Sequence, residues 1–297
     1  MNRRKMKEKR LFALLYFIGF VSFAQTKGVV KDSLSGNPIA YVSVWVENEN
    51  IGTTAEENGE FKINTNDKNK NLVFSVLGYV RKVVKAADAG IVLLAPTALE
   101  LNEVIIVNKK ENRQLEIGKI KKLAEAFDKG PRLDAKFFPY QESYKKTKWI
   151  QKVTILTDSR IDNSTIKMHL YEVGENGYPG KELLSKDFII TLEKGIHENK
   201  IDLSDLNLEM PETGIFVAFE RLIIEKNKIE KKITDYNSNT TKTVITYAPL
   251  VLYNPVERDF VFSFSGGNWN KITKEELQKT ATTTTVYEPS ITLILSN

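Results

Sequence analysis

Apolar and polar residues alternate along most of the chain in short runs that are separated by turn residues. Between Ala40 and Glu47 every second residue is aliphatic, and short apolar runs recur at Leu72–Val76 and Ile91–Leu94. Alternation of this kind over about four to eight residues is typical of a half-buried β-strand. Ser-Gly-Asn-Pro, Asn-Gly and Leu-Gly-Tyr separate the runs, and these residues favour tight turns. We therefore predict a small β-sandwich over residues 25–107.

The alternating pattern returns after residue 135 and continues to the end of the chain. It is clearest where Ile166, Met168 and Leu170 alternate with Lys167 and His169. Further strand-like runs lie at 149–157, 188–192, 200–203, 214–224, 244–247, 260–264 and 290–295. Many short strands without intervening helices are typical of a sandwich or a jelly roll. We predict an all-β protein with a jelly-roll-like C-terminal β-sandwich over residues 135–297.

The segment 108–134 differs from both regions because charged residues replace the alternation. We interpret it as a charged linker in which Lys119–Phe127 is helical by composition; the alternative is a strand at Ile117 and Gly118, where the chain enters the next domain. A second interpretation is that the segment up to Pro139 supplies the first strand of the second domain. Gly130-Pro131 ends whatever element precedes it.

The first 24 residues have the pattern of a signal peptide. A basic head precedes the apolar stretch Leu11–Val21, and small residues at Ser22 and Ala24 fit a cleavage site before Gln25. The alternative is an uncleaved N-terminal anchor, although the stretch is shorter than the roughly 20 residues of a spanning helix. We expect no transmembrane helix in the mature chain. The expected location is the periplasm, the outer-membrane surface or the medium.

Charge and cysteine content exclude several classes of function. The formal net charge is +5. The leader holds six basic residues against Glu8, so its excess accounts for the whole value. The remaining chain is balanced and offers no support for a basic face that binds nucleic acid. The chain has no cysteine, which excludes disulfides, a thiolate nucleophile and a zinc–thiolate site.

Motifs in residues 28–107 resemble the carboxypeptidase regulatory-domain-like family, whose fold is similar to transthyretin. The matching motifs are Gly28-x-Val30, Asp32, Ser35-Gly36-x-Pro38-Ile39, Val42-x-Val44, Gly52-Thr53-Thr54, Asn58-Gly59-x-Phe61, Leu72-x-Phe74-Ser75 and Gly78-Tyr79. The resemblance implies a non-catalytic β-sandwich of a kind that often begins envelope proteins of Gram-negative bacteria, including outer-membrane receptors. No plug domain is recognised after Leu101–Val107, so a transport-receptor identity is not expected. Phe137–Tyr140 and Tyr171–Gly180 resemble a companion β-sandwich, which implies no active site.

The residues with catalytic potential form no recognisable signature. His169 and His197 lie in strand-like segments without a nucleophile at a familiar spacing, so we favour structural roles for both. Glu56-Glu57 and Asp187 lie beside turns but lack the alternating oxygen ligands of a calcium loop. We therefore predict no catalytic residues, no cofactor and no metal site.

Three aromatic residues are the candidates for ligand binding. Trp269 falls in the polar, Gly-rich segment Ser265–Asn270, where we expect an exposed loop, and Tyr178 and Tyr253 fall in turn-like contexts. Exposed Trp and Tyr rings stack on sugars or anchor protein partners. The alternative is that Trp269 folds back as a lid over its own sandwich.

These observations favour a non-catalytic, exported binding or scaffolding protein of the cell envelope. The expected partner is a polysaccharide or an envelope protein. One alternative is a glycan or peptide hydrolase with its site in the C-terminal sandwich, which a cluster of His or paired carboxylates at one pocket would favour. A second alternative is an accessory subunit that docks on an outer-membrane receptor through a strand edge.

Overall fold

The structure is a computed structural model that describes residues 25–65, 67–97, 113–120, 125–127, 130–235, 240–256, 260–280 and 285–297. The predicted signal peptide, residues 1–24, and the segment Leu101–Val107 lie outside the described residues. Within the described ranges the chain is all-β, as the sequence predicts, and its α-helix is a single short one. No helix in these ranges is long and apolar enough to cross a membrane.

The N-terminal domain is a sandwich of two small sheets. Its strands are β1 (Gln25–Asp32), β2 (Ser43–Val46), β3 (Gly52–Thr54), β4 (Glu60–Asn64), β5 (Asn71–Ser75), β6 (Lys82–Lys85) and β7 (Ile91–Leu94), with a 3₁₀ turn at Ala86–Asp88. One sheet has the order β4-β1-β7, in which β1 is antiparallel to β4 and parallel to β7. The other has the order β3-β2-β5-β6. Val30, Val44, Phe61 and Phe74 meet in the core between them.

Strand β2 is buried on both faces, which a small two-layer sandwich does not by itself explain. Val44 and Val46 point into the core of their own domain. Ser43 and Trp45 alternate with them and lie on the opposite face, yet Trp45 is only 2% exposed. A second layer of protein must therefore cover the outer face of this sheet, and that layer is the C-terminal domain.

The C-terminal domain contains the remaining strands. They are β8 (Gln114–Ile117), β9 (Glu125–Ala126), β10 (Leu133–Phe138), β11 (Trp149–Ser159), β12 (Ser164–Val173), β13 (Pro179–Glu182), β14 (Phe188–Leu192), β15 (Gly195–Asp202), β16 (Ile215–Arg221), β17 (Lys228–Asp235), β18 (Thr240–Tyr247), β19 (Leu250–Val256), β20 (Phe260–Ser265), β21 (Asn268–Thr273), β22 (Val286–Pro289) and β23 (Ile291–Ser296). The helix α1 spans Lys274–Thr280, and 3₁₀ turns occupy Glu142–Lys146, Ser204–Leu206 and Glu225–Asn227.

Two seven-stranded sheets of described residues form the C-terminal sandwich. The first, here called the inner sheet because it faces the N-terminal domain, has the order β13-β12-β16-β10-β20-β21, with β14 also paired to β12. The second, the outer sheet, has the order β22-β19-β11-β23-β8, with β15 on β11 and β9 on β19. Ile166, Met168 and Leu170 of β12 pack between the two sheets against residues such as Ile155 and Leu293.

Strands β17 and β18 form a separate two-stranded ribbon. They pair along their whole length, from Lys228 opposite Tyr247 to Asp235 opposite Thr240, and their described residues pair with no other strand. Ile233, Val244 and Ile245 on this ribbon are 38–55% exposed. An isolated hairpin is only marginally stable in water. The ribbon therefore has unused hydrogen-bonding edges as well as exposed apolar surface.

The segment interpreted as a linker contributes strands to the second domain. Gln114–Ile117 pairs with β23, and Glu125–Ala126 pairs with β19. Among the described residues of Lys119–Phe127 there is no helix. Leu115 and Ile117 of β8 pack on the C-terminal core, which explains why this part of the segment is a strand.

The Gly-rich segment around Trp269 is a hairpin turn rather than an exposed loop. Ser265 pairs with Asn268 and Phe264 with Trp269, so the connection is the two residues Gly266 and Gly267. Their φ angles are 59° and 85°, as a two-residue hairpin with left-handed central residues requires. Trp269 consequently lies in strand β21.

This hairpin turn docks on the N-terminal domain. The backbone N–H of Asn48 donates to the carbonyl of Gly266 over 3.1 Å. A Cβ atom at Gly266 would lie 2.6 Å from the Asn48 backbone, and one at Gly267 would lie 2.9 Å from Val73. Glycine is therefore needed at this turn for close approach as well as for its φ angle.

We predict that Gly266→Ala lowers the free energy of unfolding by about 2–3 kcal/mol, since the added methyl group meets backbone that cannot move aside. The matched control is Gly177→Ala, whose φ of 76° is similarly strained but whose Cβ would meet nothing within 4 Å. The control should lose about 1 kcal/mol, from backbone strain alone. Urea unfolding measures both values, and equal losses would contradict the close docking of the turn.

Candidate functional site

A charged network lies where the inner sheet faces the N-terminal domain. Lys167 and His169 occupy alternate positions of β12 and point away from the C-terminal core, because Ile166, Met168 and Leu170 point into it. In the register of the sheet, Glu220 of β16 lies opposite Lys167. The alternation that predicts the core face of β12 therefore also brings two cations onto the face that meets the other domain.

Hydrogen bonds join this network across the two domains. The hydroxyl of Ser43 donates to Glu220, and the Nζ of Lys167 donates to the carbonyl of Tyr41 over 2.7 Å. The φ of Tyr41 is 55°, an uncommon value for a non-glycine residue. Lys167 also lies 3.5 Å from Asp187 and 4.0 Å from Glu220. Because Lys167 is 1% exposed, its ammonium group exchanges water for these partners almost completely.

His169 lies between two carboxylates. Its Nδ1 is 2.9 Å from Glu182 and its Nε2 is 3.2 Å from Glu220. The second oxygen of Glu182 accepts the backbone N–H of Leu170 over 2.6 Å. Both ring nitrogens are thus engaged by acceptors, which fits a protonated imidazolium ring that donates on both sides.

The electrostatics of the network follow from burial and pairing. Burial lowers the pKa of His169, but hydrogen bonds and charge attraction from Glu182 and Glu220 outweigh it and raise the pKa to about 9. Burial raises the pKa of Glu220, while Lys167, His169 and Ser43 together lower it to about 2. The pKa of Tyr171 is raised well above its usual range, first by burial and then by the same two carboxylates.

Aromatic side chains cover the rest of the same sheet face. The ring of Tyr171 stacks on His169 at 5.5 Å, and Trp269 meets both Tyr171 and Phe264 edge to face. Phe264 in turn contacts Trp45 of the N-terminal domain at 5.7 Å. We call this surface the aromatic face; its half-buried members are Phe137, Tyr171, Tyr178, Phe260, Phe264 and Trp269.

Two cavities adjoin the aromatic face and share Trp269. The interdomain cleft, of about 690 Å³, lies between the domains and is lined by residues that include Arg81, His169, Tyr171 and Glu182. The surface groove, of about 460 Å³, is lined by Tyr178, Trp269, Asn270, Lys271, Ile272 and Glu276. The chain therefore offers an open aromatic groove beside a deeper cleft with charged walls.

The three aromatic residues predicted to bind a ligand have different surroundings. Tyr178 and Trp269, 91 positions apart in the chain, line the same surface groove. Tyr253 lies in strand β19, not in the turn expected from the sequence, because it packs into the C-terminal core with 2% exposure. Its hydroxyl accepts the Nε–H of Arg132 at 3.0 Å, and its ring meets Phe127. Ligand binding by these residues stays a prediction.

The remaining polar candidates are scattered. His197 is exposed and lies 2.9 Å from the carbonyl of Lys194. The Glu56 carboxylate accepts the backbone N–H of Glu225, so it joins the domain interface. Within the described ranges, His, Asp and Glu residues do not come together in any group that could hold a metal ion.

Comparison with known proteins bears on the N-terminal domain. Residues 26–106, a little over a quarter of the chain, match the CarboxypepD_reg-like domain family. The fold and the motifs agree with this match. Residues 26–106 form a CarboxypepD_reg-like domain.

A curated relative also carries a matching region. It is the TonB-dependent receptor P3 of Formosa agariphila, 32% identical over 111 residues. The alignment covers 36% of this chain and 11% of the receptor, so the chain spans about a tenth of that relative. The likeness to this receptor is therefore confined to a short region of each protein.

Solved structures give a weaker likeness. The infectious bursal disease virus VP2 subviral particle is 12% identical, with a TM-score of 0.24, and the match covers 92% of this chain and 63% of that one. The same virus's Gx strain gives 11% and 0.21, with 91% and 60% covered. The chain spans less than two thirds of either. At these TM-scores the likeness carries no argument about fold or function.

The contacts between the CarboxypepD_reg-like domain and the C-terminal sandwich were not predictable from either half alone. Sequence reasoning missed Lys167, Glu182 and Glu220 and assigned His169 only a structural role. The available signal is a Lys and a His that alternate with the apolar residues Ile166, Met168 and Leu170. The carboxylates and the N-terminal groups that pair with these two side chains are distant in sequence, and a single sequence does not reveal such contacts.

The network gives a pH dependence of stability with a defined sign. The pKa of His169 is raised from 6.5 to about 9, so its stabilisation is complete below pH 6.5 and is lost as the pH rises through 9. The pKa of Glu220 is lowered from 4.5 to about 2, so its stabilisation is complete above pH 4.5 and is lost as the pH falls towards 2. The network contributes most between these two limits.

We therefore predict that the free energy of unfolding falls by about 2 kcal/mol between pH 6.5 and 9.5 because His169 is deprotonated. In His169→Gln this fall should disappear, whereas His197→Gln, at the exposed histidine, should behave as the wild type. Urea midpoints at half-unit pH intervals measure the effect. A similar fall in His169→Gln would show that another group is responsible.

Proposed function

We propose that this chain is a non-catalytic, envelope-associated binding protein that binds a saccharide at the aromatic face. The observation that carries the proposal is the surface groove, where Tyr178 and Trp269 lie beside Asn270 and Glu276. Sugar rings bind through aromatic stacking together with hydrogen bonds to amide and carboxylate groups. Envelope association is supported by the CarboxypepD_reg-like domain and by the similarity to a TonB-dependent receptor.

The clustering of His169 with two carboxylates at the interdomain cleft is what a hydrolase would have been expected to show. The detailed geometry favours a structural role instead. A general base needs a free nitrogen lone pair, whereas both nitrogens of His169 face carboxylates and its pKa is about 9. The hydroxyl of Ser43 donates to Glu220, and the pKa of that carboxyl, lowered to about 2 by Lys167, His169 and Ser43, makes Glu220 a weak base for activating a nucleophile. We therefore keep binding as the proposed function.

A binding assay on immobilised neutral glycans and peptidoglycan tests the proposal. Asn270→Ala and Trp269→Ala should weaken binding at least tenfold because both side chains line the groove. Tyr140→Ala is the matched control, since Tyr140 is a half-buried aromatic residue that packs on Tyr144 and is not among the groove residues. Unfolding midpoints identify any variant that is merely destabilised. Equal binding by wild type and both groove variants would contradict the proposal.

A second candidate function is that of an accessory subunit of an envelope receptor, and the ribbon of β17 and β18 favours it. Among the described residues each strand of the ribbon pairs only with the other, so both outer edges have backbone groups available for a third strand. Lys231 and Lys232, together with the exposed Ile233, would suit an acidic and apolar partner strand.

Site-specific photo-crosslinking in cells tests this second function. A photoreactive residue at Thr243 of the ribbon should capture one outer-membrane receptor, since a third strand would lie beside it. The control is the same residue at Asn176, an exposed position in a turn of the C-terminal sandwich. A receptor captured equally from both positions, or from neither, would count against docking through the ribbon.

A further inference from the structure

One arginine of the interdomain cleft, Arg81, has no partner among the residues that the structure describes. Arg81 follows the turn at Gly78 and lines the cleft from the N-terminal side. Within the described part of the chain, no hydrogen bond or ion pair reaches its guanidinium group. The other described lysines and arginines near the charged network, such as Lys167, are already paired.

The position of Arg81 is defined by the hairpin turn of the other domain. A Cβ atom at Gly267 would lie 3.0 Å from its Nη2 atom, so the absence of a side chain there leaves room for the guanidinium group. Trp269 lies two residues after Gly267 and lines both the cleft and the surface groove. The guanidinium group of Arg81 therefore lines the same cleft as the aromatic residue that we propose for saccharide binding.

The remaining charges of the cleft do not compensate Arg81. Lys167 and His169 face Glu220, and His169 also faces Glu182. Asp187 lies 3.5 Å from Lys167, so these groups are engaged with one another, and within the described residues none of them forms an ion pair with Arg81. Leu77 and Phe264 add apolar walls to the cleft, and Arg81 itself is exposed there.

We propose that Arg81 makes this protein selective for acidic saccharides, by pairing with a carboxylate of a sugar unit that enters the cleft past Trp269. This inference rests on the proposed function and narrows its ligand class. A planar guanidinium group fits a carboxylate in a bidentate arrangement, which a lysine does not reproduce. A saccharide is favoured over an acidic peptide because Trp269 lines both the cleft and the aromatic groove.

Paired ligands that differ only in charge test the proposal. Oligogalacturonate and its fully methyl-esterified form share the sugar chain, but only the first has carboxylates. The wild type should bind the acidic form at least tenfold more tightly at low salt, and the preference should shrink as salt is added. Arg81→Ala should reduce the ratio of the two affinities towards one. Arg81→Lys should reduce it to an intermediate value. Arg160→Ala, an exposed arginine outside the cleft, should keep the wild-type ratio.

The outcomes separate this inference from the proposed function. If Arg81→Ala loses the acidic preference but still binds the esterified form, both the groove and the role of Arg81 are supported. An unchanged preference in Arg81→Ala would overturn the inference and leave the saccharide proposal intact. Loss of all glycan binding in Trp269→Ala with no preference in the wild type would overturn only the role of Arg81. Equally tight binding of a poly-glutamate peptide would overturn the saccharide assignment of the cleft.

Discussion

The burial of Lys167, His169 and Glu220 beneath the N-terminal domain is the constraint on which the domain arrangement depends, because Tyr41 and Ser43 of that domain form hydrogen bonds with Lys167 and Glu220. Burying two cations and a carboxylate between protein layers is costly unless each is paired, and here both domains supply partners: the hydroxyl of Ser43 and the carbonyl of Tyr41 from one, the carboxylates from the other. Separation of the domains would return these groups to water but would expose the indole of Trp45. The hydrogen bonds of the charged network and the burial of Trp45 therefore favour the same arrangement of the two domains.

The aromatic face follows from that arrangement. The inner sheet has an apolar side that forms the core and a second side that is covered only in part by the N-terminal domain. Where the cover ends, the rings of Tyr171, Phe264 and Trp269 contact one another edge to face, which shields part of each ring without removing all of it from solvent. Half-buried aromatic rings that contact one another next to a cleft form one continuous surface for a ligand, which exposed rings on separate loops would not.

Local patterns predicted most of the fold, whereas the site depended on contacts distant in sequence. Alternation identified both faces of β12, and turn residues placed most strand boundaries, because these depend on neighbouring residues. Trp269 was assigned to a loop since two glycines read as irregular structure, although they form a tight hairpin. Tyr253 falls in a turn-like context of the sequence, yet burial holds it in a strand. The pairing of Ser43 with Glu220 spans 177 positions, and no local pattern encodes it.

The two walls of the interdomain cleft belong to different domains, Arg81 to one and Trp269 to the other. Any molecule that contacts both walls binds only the docked arrangement and so shifts the equilibrium between docked and separated domains by mass action. Ligand binding and domain docking are then thermodynamically linked. A substitution that weakens the domain interface also lowers the affinity for such a ligand, and the bound ligand opposes separation of the two domains.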